Sequence, residues 1–221
     1  MDRSRIAIVI PALNEAGTIA AVVGAVSAYG TPVVVDDGSL DDTAALALRA
    51  GAKVVSHPDN QGYDAALNSG FAHAAALGCE YVITVDADGQ HNPGQIGEFI
   101  ALLDQGHDLV LGVRDRHQRF SEHVFAAVAR CIWGLRDPLC GMKAYRMALY
   151  RERRVFDSFR SIGTELAIRS VARGLRFVER PTLIRDRVDA PRFARRFSSN
   201  LKILRALGIL LMLGAAGRLV A

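Results

Sequence analysis

The chain has 221 residues, half of them hydrophobic and 23% charged. That composition fits one globular domain with an extension and excludes a disordered, collagen-like or disulfide-stapled chain. The formal net charge of +4 hides a division, because residues 1–110 hold 4 basic and 14 acidic side chains while residues 111–221 hold 23 and 9. An acidic half concentrates cations, and a basic half attracts phosphate or an anionic membrane. The three cysteines, Cys79, Cys131 and Cys140, form no C-x-x-C pair, so neither a zinc knuckle nor a disulfide framework is expected and a reducing compartment is the simplest home. No signal peptide is expected, since the charged opening leads into only five apolar residues, Ile6 to Ile10.

Those five residues read as a strand buried on both faces, stopped by Pro11 and Asn14 before an Ala/Val-rich helix from Thr18 to Ala28. Val33 to Val35 is a second strand, Asp42 to Ala50 a helix, and Lys53 to Ser56 a third strand. A helix from Tyr63 to Leu77 precedes the strand Tyr81 to Val85, whose carboxyl end carries Asp86-Ala87-Asp88. Pro93 suits the first turn of a helix reaching Gln105, and Asp108 to Gly112 supplies another strand. The rhythm is that of an α/β sandwich on a mostly parallel sheet. Beyond Arg114 the chain reads as helical and basic to Leu135, turns and forms a short strand between Asp137 and Tyr145, is helical from Thr164 to Arg173, and ends its sheet with Phe177 to Ile184.

The final stretch, Asn200 to Ala221, has a charge-free run of only twelve residues, Ala206 to Gly217. A spanning helix needs about 20 apolar residues, so this segment is a core helix, a membrane-interface helix or an association surface. The basic segment Arg192 to Arg205 favours a membrane surface.

The chemistry-bearing feature is Asp86-Ala87-Asp88-Gly89-Gln90-His91 after a buried strand. Carboxylates at i and i+2, with an amide oxygen two residues on, can converge on Mg2+ or Mn2+, which neutralises a diphosphate. Asp36-Asp37-Gly38-Ser39 and Pro11-Ala12-Leu13-Asn14-Glu15 end two other strands, so three polar clusters face one rim, where open α/β sheets bind ligands. Catalysis by His57, His91 or His123 is not expected, because none has a second histidine at ligand spacing; His91 is expected to support the acidic loop.

With I-V-I-P-A-L-N-E at 8–15, V-V-D-D-G-S-L-D-D-T at 34–43, H-P-D-N-Q-G-Y-D-A-A-L-N-S-G at 57–70, V-D-A-D-G-Q-H at 85–91, G-V-R at 112–114 and D-P-L-C-G-M-K-A-Y-R at 137–146, the chain resembles a family 2 glycosyltransferase of GT-A fold. It is similar to the dolichol-phosphate mannosyltransferase and polyprenyl-phosphate glycosyltransferase branch. The resemblance implies nucleotide-sugar contacts at Pro11, Leu13, Glu15, Val35, Asp37, Asp86, Ala87, Arg114, Arg187 and Arg192, and a metal at Asp88 and Gln90 with Asp86 beside them. Asp88 and Arg114 are then catalytic, and Glu165 and Asp137 are the candidates for acceptor-side work. Glu122-His123 stands where membrane-acceptor relatives carry Ser-Arg, and Cys140 where serine or threonine is commoner.

The expectation is a GT-A domain over residues 1–199 followed by an amphipathic C-terminal helix over 200–221. Its activity is inverting, metal-dependent transfer from a nucleotide diphosphate sugar to a polyprenyl phosphate or lipid-linked glycan at the cytoplasmic membrane face. That place implies peripheral membrane contact or a membrane-protein partner, with a homo-oligomer possible. Transfer to a soluble sugar or metabolite hydroxyl, and a non-catalytic nucleotide-binding subunit, are the alternatives. Nucleic acid is not an expected partner, since the basic helices lack interleaved aromatic residues.

Overall fold

The first apolar run folds as strand β1 (Ile6–Ala12), and its alternate side chains face different cores. Ala7 and Val9 point to one side of the sheet, Ile6, Ile8 and Ile10 to the other, and all five are buried. Burial on both faces is why the run is uniformly apolar rather than alternating with polar residues. The computed structural model describes residues 2–117, 119–184 and 196–220.

Around β1 assemble β2 (Thr31–Asp36), β3 (Lys53–Ser56), β4 (Tyr81–Thr84), β5 (Leu109–Arg114), β6 (Lys143–Arg146) and β7 (Phe177–Thr182), in the sheet order β3-β2-β1-β4-β6-β5-β7. All neighbouring pairs are parallel except those of β6, which runs antiparallel to both β4 and β5. The mostly parallel α/β sandwich read from the sequence is therefore present. One face is covered by α1 (Ile19–Val26), α2 (Thr43–Arg49) and α4 (Gln95–Asp104). The other is covered by α3 (Tyr63–Ala76), α5 (Phe120–Trp133), α6 (Met147–Arg153), α7 (Glu165–Ala172) and α8 (Arg196–Ala215).

Two local expectations change. Pro93 lies in the turn before α4, where Gln95 and Ile96 donate to the carbonyls of Asn92 and Pro93, and the helix itself starts at Gln95. The seven-residue helix α6 follows β6 directly and buries Met147, Leu149 and Tyr150.

Helix α8 begins its described part at Arg196 and sends Ile203, Ala206, Leu207, Leu210 and Leu213 into the main core, where α5 contributes Phe125 and Ala129. This stripe recurs at i, i+3, i+4, i+7 and i+10, the helical period of one face. Opposite it, Leu201 and Met212 are 63% and 65% exposed. No helix among the described residues is long and apolar enough to cross a membrane.

The packing predicts that Leu210→Ala lowers unfolding free energy by about 2–5 kcal/mol, whereas Met212→Ala changes it by less than about 0.5 kcal/mol. Urea denaturation of the two variants checks this, and equal small effects would show that α8 is not part of the core.

Candidate active site

Parallel strands end together, and here that geometry gathers the polar clusters. Ala12 of β1 pairs with Asp36 of β2, and Val9 pairs with Thr84 of β4, so residues 13–15, 36–39 and 86–90 leave one rim. Because β6 is antiparallel, its amino end arrives at the same rim, with Lys143 opposite both Thr84 and Leu111. Strand β5 then delivers Arg114 there.

The first two loops are tied to each other. The Asn14 N–H donates to Ser39 Oγ at 2.8 Å, Asn14 Oδ1 accepts from the Leu40 N–H at 2.7 Å, and the Glu15 N–H donates to Thr43 Oγ1 at 2.7 Å. Asn14 has φ of 52°, a left-handed conformation that asparagine tolerates better than most residues. Asp37 is buried and accepts from the N–H groups of Gln61 at 3.0 Å and Gly62 at 2.8 Å, and its Oδ1 lies 2.7 Å from His57 Nδ1. Gly38 has φ of 75°, and a Cβ there would stand 2.6 Å from the Asp59 backbone, so only glycine lets these loops meet.

Asp86 is held from three sides. His91 Nε2 lies 2.9 Å from its Oδ2 and the Tyr63 hydroxyl donates to its Oδ1 at 3.3 Å. Gly141 lies against it so closely that a Cβ would stand 2.1 Å from Asp86 Oδ2. The carboxylate accepts, so His91 carries its proton on Nε2; its buried Nδ1 has no partner among the described residues. His91 thus supports the acidic loop as expected. Burial and the Asp86 charge push the Tyr63 phenol well above its ordinary range. Asp88 and Gln90 sit in the next turn, where the Gln90 N–H donates to Asp88 Oδ1 at 3.1 Å. Pro11, Leu13, Asp86, Asp88 and Gln90 are partly exposed on the rim. Val35 and Ala87 bury their side chains beneath it, which leaves them only main-chain atoms to offer a ligand.

Arg114 forms a paired cluster rather than a free cation. Its Nε and NH2 donate to the two oxygens of Asp137 at 2.8 and 2.9 Å, and its NH1 lies 3.3 Å from Glu122 Oε2. Arg119 NH1 donates to the other Glu122 oxygen at 2.7 Å. The paired guanidiniums present N–H donors in fixed directions. Burial opposes the Arg114 charge, yet the Asp137 carboxylate outweighs it and raises the guanidinium's pKa. Burial likewise pushes Asp137 up, but its bonds to Arg114 bring it below the usual carboxylate range. Glu122 therefore joins two arginines.

The acceptor-side candidates Asp137 and Glu165 are both buried and ion-paired. Asp137 is 1% exposed and committed to Arg114. Glu165 is fully buried and bonded to Arg153 at 3.0 Å, Arg169 at 2.8 Å and the Ser158 N–H at 2.5 Å. Its bonds to Arg114 make Asp137 a weak proton acceptor. Arg187 and Arg192 lie outside the described residues. Burial, then Asp137, pushes the Cys140 thiol up to about 12, so it packs as a small apolar group and is no nucleophile.

Sequence reasoning missed Tyr63, Gly141 and Lys143 as parts of the rim, although they lie in the G-Y-D and C-G-M-K segments. Lys143 is 3% exposed, its Nζ donates to the Gly163 carbonyl at 2.9 Å, and burial lowers its pKa. Gly163 closes a loop in which Arg160 and Ile162 have φ of 54° and 59°, a strained choice for a β-branched residue. Asp64 Oδ1 holds this loop by accepting from the Gly163 N–H at 2.5 Å. Burial, then the neighbouring Asp157, raises the Asp64 pKa to about 6.

Two outcomes follow. Gly141→Ala drives a methyl group into Asp86 and lowers catalytic turnover at least about tenfold while the fold persists, as activity and circular dichroism together report. Asp64 titrates higher folded than unfolded, so its contribution to stability is lost as pH rises from about 4 to about 6. Asp64→Asn therefore gains on the wild type by about 1–2 kcal/mol between about pH 4 and about pH 7, read by urea denaturation at both.

Comparison with known proteins places the chain among glycosyltransferases. The chain is 34% identical over 190 residues to an uncharacterized glycosyltransferase of Mycobacterium tuberculosis, covering 81% of this chain and 84% of the relative. It is 29% identical over 195 residues to the dolichyl-phosphate hexose transferase of Haloferax volcanii, covering 82% and 83%. Among solved structures, it superimposes with a TM-score of 0.72 on glucosyl-3-phosphoglycerate synthase of Mycobacterium tuberculosis in complex with Mn2+, uridine diphosphate and glucosyl-3-phosphoglycerate. That match has 24% identity and covers 91% of this chain and 78% of that one. Residues 7–158, which hold the three strand-end clusters and the Arg114 pair, match the model of glycosyl transferase family 2, and the chain belongs to that family.

Proposed function

We propose that this glycosyltransferase moves a sugar, with inversion, from a nucleoside diphosphate sugar to a phosphate oxygen of a polyprenyl phosphate. The observation that carries the reading is the rim itself: Asp86, Asp88 and Gln90 leave one strand end beside the Arg114–Asp137 pair. Asp88 and Gln90 offer a carboxylate and an amide oxygen on one turn, a donor set suited to Mg2+ or Mn2+, which binds through few protein oxygens plus substrate phosphates. Such an ion supplies Lewis-acid stabilisation of the leaving diphosphate. Pro11, Leu13, Glu15 and Asp37 flank the nucleoside, with Val35 beneath it. Asp86 and the Ala87 main chain meet the sugar-diphosphate. Arg187 and Arg192 are assigned to the same pocket on the family resemblance.

In the reaction the bond from the anomeric carbon to the β-phosphate oxygen breaks, and a bond to the acceptor oxygen forms on the opposite face. The leaving diphosphate gains negative charge, which the Arg114 N–H donors stabilise. An acceptor phosphate is already anionic and needs no strong base, whereas a hydroxyl must lose a proton to a carboxylate. With Asp137 and Glu165 both spent in buried ion pairs, the geometry favours a phosphate acceptor. The similarity to the Haloferax dolichyl-phosphate hexose transferase supports a lipid phosphate. The exposed Leu201 and Met212 of α8, with Lys202 and Arg205 on the same helix, suit an anionic membrane surface. A soluble phosphate-bearing acceptor is the second reading, favoured by the fold match to glucosyl-3-phosphoglycerate synthase in complex with phosphoglyceric acid.

The test supplies UDP-, GDP- and dTDP-sugars with Mn2+ to the enzyme beside polyprenyl phosphate in anionic vesicles, soluble phosphorylated acceptors and unphosphorylated sugars. Transfer to polyprenyl phosphate is expected, and Asp88→Asn should lower it about a hundredfold or more without lowering the melting temperature. Transfer only to soluble phosphates establishes the second reading. Transfer only to unphosphorylated hydroxyls, or an active Asp88→Asn enzyme, overturns the proposal.

A further inference from the structure

Directly after β3, the His57 ring lies between Asp37 and Ser69 of α3. Its Nδ1 is 2.7 Å from Asp37 Oδ1, its Nε2 is 2.8 Å from Ser69 Oγ, and the side chain is 9% exposed. A carboxylate only accepts, so Nδ1 carries the proton, and in the neutral ring Nε2 accepts from the Ser69 hydroxyl. Asp37 Oδ1 then receives two donors, His57 and the Gln61 N–H, while Oδ2 receives the Gly62 N–H. The second lone pair of Oδ2 meets no further donor among the described residues.

We infer that His57 is a positioning residue for the nucleoside end of the donor: relayed from Ser69, it fixes the Asp37 carboxylate so that Oδ2 accepts one N–H or O–H from a nucleobase or ribose. This rests on the donor site proposed above. The His57 N–H holds the Asp37 carboxylate as a stationary hydrogen-bond acceptor. The same three residues match a nucleophilic triad, but Ser69 lies mid-helix in α3 (Tyr63–Ala76), where the neighbouring N–H groups are spent on helix bonds and do not serve as oxyanion donors. The arrangement serves recognition, in which a fixed acceptor discriminates because an unmatched ligand leaves it buried and unpaired.

The experiment measures affinity for UDP, GDP and dTDP with Mn2+ by calorimetry and, for the best nucleotide, donor KM and kcat. His57→Ala should weaken binding and raise KM about tenfold, with kcat at saturating donor within about twofold. His57→Asn, which retains an N–H donor near the Nδ1 position, should recover most of that loss. Ser69→Ala leaves the ring and its Asp37 bond in place and should weaken binding about threefold, which keeps the test decisive if His57→Ala does not fold. Unchanged affinity in the His57 and Ser69 variants, with Asp37→Asn weakened, overturns the relay alone. Unchanged affinity in Asp37→Asn overturns the donor-site reading beneath it.

Discussion

The antiparallel strand β6, inserted between two strands that run the other way, is the constraint on which the rim depends. Its direction brings residues 141–143 to the carboxyl ends of β4 and β5, where a parallel strand would present its opposite end. Thr84 fastens the junction, donating from Oγ1 to the Gly141 carbonyl at 2.6 Å and accepting from the Lys143 N–H at 3.2 Å. The absent side chain of Gly141 makes room for the Asp86 carboxylate, and Lys143 ties the same place to the strained loop ending at Gly163. Sheet topology, one glycine and one buried lysine thus set where the acidic loop stands.

Charge is distributed by use. The Arg114, Arg119, Glu122 and Asp137 groups neutralise each other within a few ångströms, and the Glu165 ion pairs join α7 to Arg153 and Ser158. Pairing is what makes such burial tolerable, since an isolated charge there would cost several kcal/mol. The partly exposed carboxylates on the rim, Asp86 and Asp88, belong to the acidic half of the chain. The basic half supplies arginine donors in fixed directions.

Much of this was legible in the sequence because the relevant signals are local. Ile6 to Ile10 has the uniform apolarity of a strand covered on both faces, and Asp-x-Asp after such a strand belongs at a sheet rim. Helix α6 was not legible: its seven residues follow β6 with no intervening Gly or Pro, and three apolar side chains do not establish a period. Roles that depend on partners distant in the chain were also hidden. Glu165 meets Arg153 and Ser158, and Asp137 meets Arg114, 23 residues away; only packing shows that these carboxylates are spent. The same holds for His57, whose two partners sit on different elements. The basic segment tipped the C-terminal stretch toward a surface role, whereas the fold shows one helix carrying both a buried and an exposed apolar stripe.

The central claim is that the three strand ends form a metal-dependent nucleotide-sugar site. Thermal unfolding with UDP-, GDP- and dTDP-sugars, each with Mn2+, Mg2+ or EDTA, tests it most directly, because a ligand that binds the native state raises its apparent stability. The account predicts a rise of a few degrees for one nucleotide, about 2–4 °C per kcal/mol for a chain of this size, and its loss in EDTA. A melting temperature unmoved by every nucleotide and metal, or a rise that EDTA leaves intact, would contradict it.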